Sequence, residues 1–112
     1  MGEFVRPSFG AVVGSATRTV SGSPTLVASR SLAGGSYSGV MLHAPGTNSV
    51  DILLYFRNVS SGAAPTFTEG TAHHRIKARE TLLLYVNENV EVWALDAPGS
   101  LGSQAVNATF LS

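Results

Sequence analysis

Three histidines (His43, His73 and His74) and seven carboxylates (Glu3, Asp51, Glu69, Glu80, Glu88, Glu91 and Asp96) are the side chains of this 112-residue chain that could move a proton or hold a metal ion. Their spacing favours neither use. His73 and His74 are adjacent, and adjacent residues of a strand point to opposite faces, so the pair cannot readily chelate one ion; no acidic residue stands beside them at a ligand-like spacing. They read as surface or interface histidines. A glycoside hydrolase holds two carboxyl groups about 5 to 10 Å apart across a cleft. Here the carboxylates are scattered, and a compact sandwich of this length offers little room for a cleft. Serines are numerous, but no Gly-x-Ser-x-Gly elbow, phosphate-binding loop or dinucleotide fingerprint accompanies them. There is no cysteine, which removes disulfides, thiolate metal sites and cysteine nucleophiles and leaves the redox compartment open. The expectation is a protein with no catalytic residue, no metal and no cofactor, which acts through its surfaces.

Three sets of residues could form such surfaces. Arg75, Lys77 and Arg79 alternate behind His73, so a strand would carry all four on one face while Ile76 and Ala78 turn to the core. The stripe could protect a sheet edge, or pair with acidic residues of a neighbouring molecule. Nucleic acid is not the expected partner: seven basic and seven acidic residues cancel, four of the basic ones lie outside the stripe, and no aromatic platform stands beside it. Tyr55, Tyr85 and Trp93 form the second set. They have the parity opposite to the aliphatic rows of their strands, and read either as an outward aromatic patch for a protein or sugar or as the second face of a doubly buried sheet. The third set is Phe4, Val5 and Phe9 around Pro7, an apolar N-terminal arm over residues 1–9 that either folds back on its own sheet or docks on a neighbouring subunit.

The elements that must position these side chains read as strands almost throughout. Val50, Ile52, Leu54 and Phe56 share one parity, as do Leu82, Leu84 and Val86, and again Val90, Val92 and Ala94. Leu53 and Tyr55 make the other face of Val50–Asn58 apolar too, which predicts a central strand. Further strands are predicted at about Ala11–Val20, Thr25–Leu32, Tyr37–His43, Thr66–Thr68, His73–Ala78 and Gln104–Leu111, with no helix. Ser21-Gly22-Ser23-Pro24, Gly34-Gly35, the 44–49 loop, the 60–65 loop and Ala97-Pro98-Gly99-Ser100 separate them. Asn87-Glu88-Asn89 predicts a tight hairpin between Leu82–Val86 and Val90–Leu95. The sum is an all-β chain: a compact antiparallel β-sandwich or jelly roll of about eight strands over residues 10–112, behind an extended arm.

Charged residues are 12% of the chain, about half the usual share, which suits a surface that spends its life packed against others. No apolar run approaches the roughly 18 residues of a membrane span. No signal peptide is visible, and Arg6 stands where a myristoylation motif beginning at Gly2 would want Ser or Thr. The expectation is a protein made in a cytoplasm, for which the acceptor patterns Asn58-Val59-Ser60 and Asn107-Ala108-Thr109 are coincidence.

From Val50 onward the chain resembles small virion proteins of tailed bacteriophages, especially capsid decoration or cement proteins. The resemblance rests on Ile52-Leu53-Leu54-Tyr55-Phe56-Arg57-Asn58, a glycine loop, the run Glu80-Thr81-Leu82-Leu83-Leu84-Tyr85-Val86-Asn87 into Val90-Glu91-Val92-Trp93-Ala94-Leu95, and a last strand after a Pro-Gly turn. It is a pattern of strands and turns over about half the chain. It implies a non-enzymatic structural protein of the virion, on the capsid surface, that bridges coat subunits. It also implies a homo-oligomer, with a trimer favoured, whose partner is the major capsid protein or another virion protein. On that reading Phe4, Val5 and Phe9 would anchor the arm and Arg75, Lys77 and Arg79 would make charged contacts. A carbohydrate-binding sandwich or tail-fibre receptor module, and a head-tail connector or tail accessory protein, are the rival expectations.

Overall fold

In the computed structural model, residues 10–59 and 62–112 are described; the 1–9 arm, with Phe4, Val5 and Phe9, lies outside them. Eight strands and one helical turn follow one another: β1 Val12–Val20, β2 Thr25–Ala28, α1 Arg30–Ala33, β3 Gly39–His43, β4 Ile52–Asn58, β5 His74–Ile76, β6 Thr81–Leu84, β7 Val90–Asp96 and β8 Gln104–Leu111. They form two four-stranded antiparallel sheets, ordered β1-β8-β3-β6 and β2-β7-β4-β5. First pairs with last, second with seventh, third with sixth and fourth with fifth, as if one long hairpin had been rolled up on itself. This is the strand order of a jelly-roll sandwich.

The period-two pattern explains the core. Val20, Val40, Leu42, Val106, Ala108 and Phe110 of the first sheet meet Val27, Ile52, Leu54, Ile76, Val92 and Ala94 of the second, all at most 2% exposed. Strand β4 is central, with β7 on one side and β5 on the other. Its outer face is also covered: Leu53, Phe67 and Ala97 make a second buried cluster, flanked by Tyr55, Trp93 and Leu95.

Four expectations are corrected. The stretch predicted as strand through Leu32 ends at Ala28 and turns into α1. Ser29 caps it, its Oγ accepting from Leu32 N at 3.2 Å, and Gly34 at φ 78° closes it; this Ser-to-Gly bracket outweighs the strand pattern. Thr66–Thr68 pairs with no strand; Phe67 instead plugs the outer face of β4. Asn87-Glu88-Asn89 is not a hairpin, because β6 and β7 lie in different sheets. Its turn chemistry is real, with Asn89 N donating to Asn87 Oδ1 at 2.9 Å and Val90 N to Asn87 O at 3.1 Å. A turn of this kind can arch between stacked sheets as well as join neighbours. The strand predicted over His73–Ala78 is only three residues long.

Candidate functional surfaces

The outer face of the second sheet gathers Tyr55, His73 and Trp93 with Arg57 and Glu91. Tyr55, on β4, lies against Phe67 (ring centroids 5.1 Å apart) and against His73 (4.2 Å). The His73 ring is oriented by a backbone bond: its Nδ1 accepts from Phe56 N at 2.9 Å, which requires that nitrogen to be unprotonated. On β7, Trp93 donates its indole N–H to Glu91 Oε1 at 3.3 Å. The same oxygen accepts from Arg57 Nε at 2.7 Å, and the guanidinium lies 5.2 Å from the Trp93 ring centroid. Arg57 also donates to Ala63 O at 2.9 Å, holding the loop after β4. Tyr55 and Trp93 are thus half-buried parts of a packed second face. Tyr85 is 61% exposed and follows β6 at the edge of the other sheet, so the three aromatics do not form one platform.

The predicted basic stripe is divided between two structural roles. Arg75 lies on β5 and grips Asp51 Oδ2 through Nε (3.0 Å) and Nη2 (2.9 Å), with Glu69 at 3.4 Å from Nη1. After Ile76 the strand stops, and the alternation that would align Lys77 and Arg79 with it stops too. Lys77 N donates to Glu80 Oε1 at 2.5 Å in a turn. Arg79 takes a left-handed φ of 74°, its N–H donating to Ala44 O at 2.6 Å and its side chain lying over Gly46. His73 sits apart from these cations, against Tyr55 and Phe56.

Most carboxylates hold the fold together. Asp96 Oδ1 accepts from Gly22 N at 2.9 Å, and Glu88 Oε2 from Tyr37 N at 3.4 Å. A shallow cleft of about 380 Å³ opens beside Leu53, Phe67 and Leu95, with Glu69 and Asp96 on its rim. Among the described residues, no three of His, Asp and Glu gather as a metal ion would require.

One polar cluster escaped sequence reasoning. Gln104 is 2% exposed; its Oε1 accepts from Ser49 N at 2.7 Å, and its Nε2 donates to Ser49 Oγ (3.0 Å) and Ser100 Oγ (3.1 Å). Asn48 adds a two-pronged bond to the Ala105 backbone, 2.9 Å to O and 2.8 Å from N. The cluster clasps the 44–49 loop onto the start of β8. A glutamine at an inward strand position was its only sequence signal.

Comparison with known proteins gives no match: no family model, no curated protein and no solved structure is similar to this chain.

Proposed function

We propose that the chain is a non-enzymatic structural protein of a tailed-phage particle, a decoration protein that binds the assembled coat lattice and bridges its subunits. The observation that carries this reading is the outer face of the first sheet. Val13, Ser15, Thr17 and Thr19 of β1, Ala105, Asn107 and Thr109 of β8, Met41 and His43 of β3, and Thr81 and Leu83 of β6 alternate with core residues. No Asp, Glu, Lys or Arg is among them. A broad face without a charge costs little to desolvate against a neighbouring protein. Binding only the assembled lattice would add the protein's binding free energy to lattice stability at every site it occupies. The aromatic residues that a sugar platform would need are engaged at Tyr55 and Trp93, which favours a protein partner over a glycan.

The test is quantitative mass spectrometry of purified particles of the phage that encodes the chain, followed by rebinding of the purified protein to stripped heads. A copy number comparable to the coat protein, with rebinding to heads but not to free coat subunits, is the expected result. Absence from particles would refute the reading. A dozen copies or fewer would replace it with the connector reading.

A further inference from the structure

We infer that β1 is a self-association edge, and that two copies of this chain pair β1 against β1 about a twofold axis to make one continuous eight-stranded sheet. The inference does not depend on the chain's place in a virus particle. It starts from a comparison of the four sheet edges. A strand at an edge presents unpaired N–H and C=O groups, and stable proteins blunt such edges by shortness, bulges or charges. Strand β5 has three residues, including His74 and Arg75. Strand β6 has four, directly after Arg79-Glu80. Strand β2 has four with a bulge between Leu26 and Ala28, and its Leu26 O is taken by Arg18 Nε at 3.1 Å. Strand β1 has nine residues; its one register shift against β8 falls at its first residues, between Val12 and Gly14, and from Gly14 to Val20 the register runs unbroken. Among the described residues no strand pairs with its other side.

The side chains of β1 fit a copy of themselves. In an antiparallel pair about a twofold, each row faces its own residue types, so a charged row would place like charges together. The outer row Val13, Ser15, Thr17, Thr19 has no charge. The inner row has one, Arg18, an inward charge of the kind that can protect an edge. Its guanidinium instead reaches the edge of β2 between the two sheets, so among the described residues it does not occupy the in-plane backbone of β1. Val12 and Val13, 63% and 42% exposed, lie at the end of this edge and would be covered by a second copy. Pairing would also join two uncharged outer faces into one surface twice as wide. Antiparallel pairing of like edges closes at two copies, so this edge builds a dimer and not the trimer that the phage resemblance implies.

The absence of cysteine makes the test direct. Sedimentation velocity of the full chain over a hundredfold concentration range is expected to show a monomer–dimer equilibrium. Single variants Ser15→Cys, Thr17→Cys and Thr19→Cys place a thiol along the outer row, and Thr109→Cys on neighbouring β8 reports random collision. Oxidation is expected to give a cross-linked dimer fastest at the β1 position nearest the axis, at least tenfold faster than at Thr109. Ser15→Lys with Thr19→Lys, both at exposed positions, is expected to weaken the dimer at least tenfold while circular dichroism and the urea midpoint stay near those of the parent. A chain that is monomeric throughout, a dimer that cross-links no faster on β1 than at Thr109, or a trimer would overturn the proposal. If the lysine pair destabilises the fold, the cysteine series still decides.

Discussion

Two glycines separate a steric requirement from a mere preference. A Cβ on Gly14 would lie 2.3 Å from the backbone oxygen of Ala33, while one on Gly46 would meet the Arg79 side chain at 2.8 Å. The first contact is with fixed backbone, where α1 closes one end of the sandwich; the second is with a flexible side chain at the surface. Gly14→Ala is therefore expected to cost about 1–3 kcal/mol through overpacking. Gly46→Ala is expected to stay within about 0.5 kcal/mol of the parent, because Arg79 can swing away and the unfolded chain loses freedom. Urea denaturation of the two variants measures this. Equal losses would show that the approach of α1 to β1 is looser than the 2.3 Å distance implies. The ion pairs rank the same way. Arg57–Glu91, with 21% and 11% of the side chains exposed, is sheltered, whereas Arg75–Asp51 at 48% and 25% is close to a surface pair. Removing one member of the sheltered pair strands a partner that also serves Trp93. Removing one member of the other costs little.

The clasp between the 44–49 loop and β8 shows how elements are fixed by groups that strand periodicity does not mark. Gln104 sits at an inward position and satisfies the loop backbone at Ser49 with the side chain a peptide would otherwise supply. Gln104→Leu keeps the volume but leaves the Ser49 N–H without its acceptor, while the Ser49 and Ser100 hydroxyls each lose one bond and keep another, from Leu101 N and to Gly102 O. Its expected cost is about 1–3 kcal/mol, with an unchanged urea m-value because the same surface is exposed on unfolding. Destabilisation below about 0.5 kcal/mol would mean that the loop holds itself. Legibility in the sequence followed the same division. The alternating rows of β4, β6 and β7, the two apolar faces of β4 and the sandwich as a whole could be read directly, because parity is local and burial follows it. The partners of each strand could not. Asn87-Glu88-Asn89 carries the same turn chemistry whether it joins neighbours or arches between sheets, and only the long-range pairs β3–β6 and β2–β7 decide between them. Of the candidate surfaces, Tyr55 and Trp93 are marked by parity, but the covering of Tyr55 by Phe67 and His73 comes from the segment between β4 and β5, whose path no periodicity records. The basic stripe was misjudged because a three-residue strand cannot align Lys77 and Arg79 with Arg75.

On the scale of the whole molecule, β8 binds β1 on one side and β3 on the other, so the first sheet is divided without it; its Val106, Ala108 and Phe110 also fill the core shared with the second sheet, and unfolding is expected to be a single cooperative step. Two groups make that step depend on pH in opposite senses. The Glu88 carboxyl is held below its ordinary range by its own backbone N–H, by Ser36 and Tyr37, and by the charge of Arg30. Its contribution is present above the ordinary carboxylate value and is lost as pH falls through the lowered one. Tyr37 behaves the other way. It is 3% exposed, its ring is 4.8 Å from that of Phe110, and among the described residues its hydroxyl has no hydrogen-bond partner. Burial, and then the Glu88 charge, push the phenol above its ordinary value of 10.0. A phenol that binds its proton more tightly when folded gives stability that is whole below pH 10 and is lost as pH rises through the folded value. Urea midpoints are therefore expected to stay level from about pH 6 to about pH 9 and to decline above pH 10. Tyr37→Phe removes both the ionisation and the unsatisfied hydroxyl, so it should flatten the alkaline decline and raise stability at pH 7 by about 1 kcal/mol or more. A variant that is less stable at pH 7, with its alkaline decline intact, would show that the hydroxyl holds a bound water and that the decline originates elsewhere in the molecule.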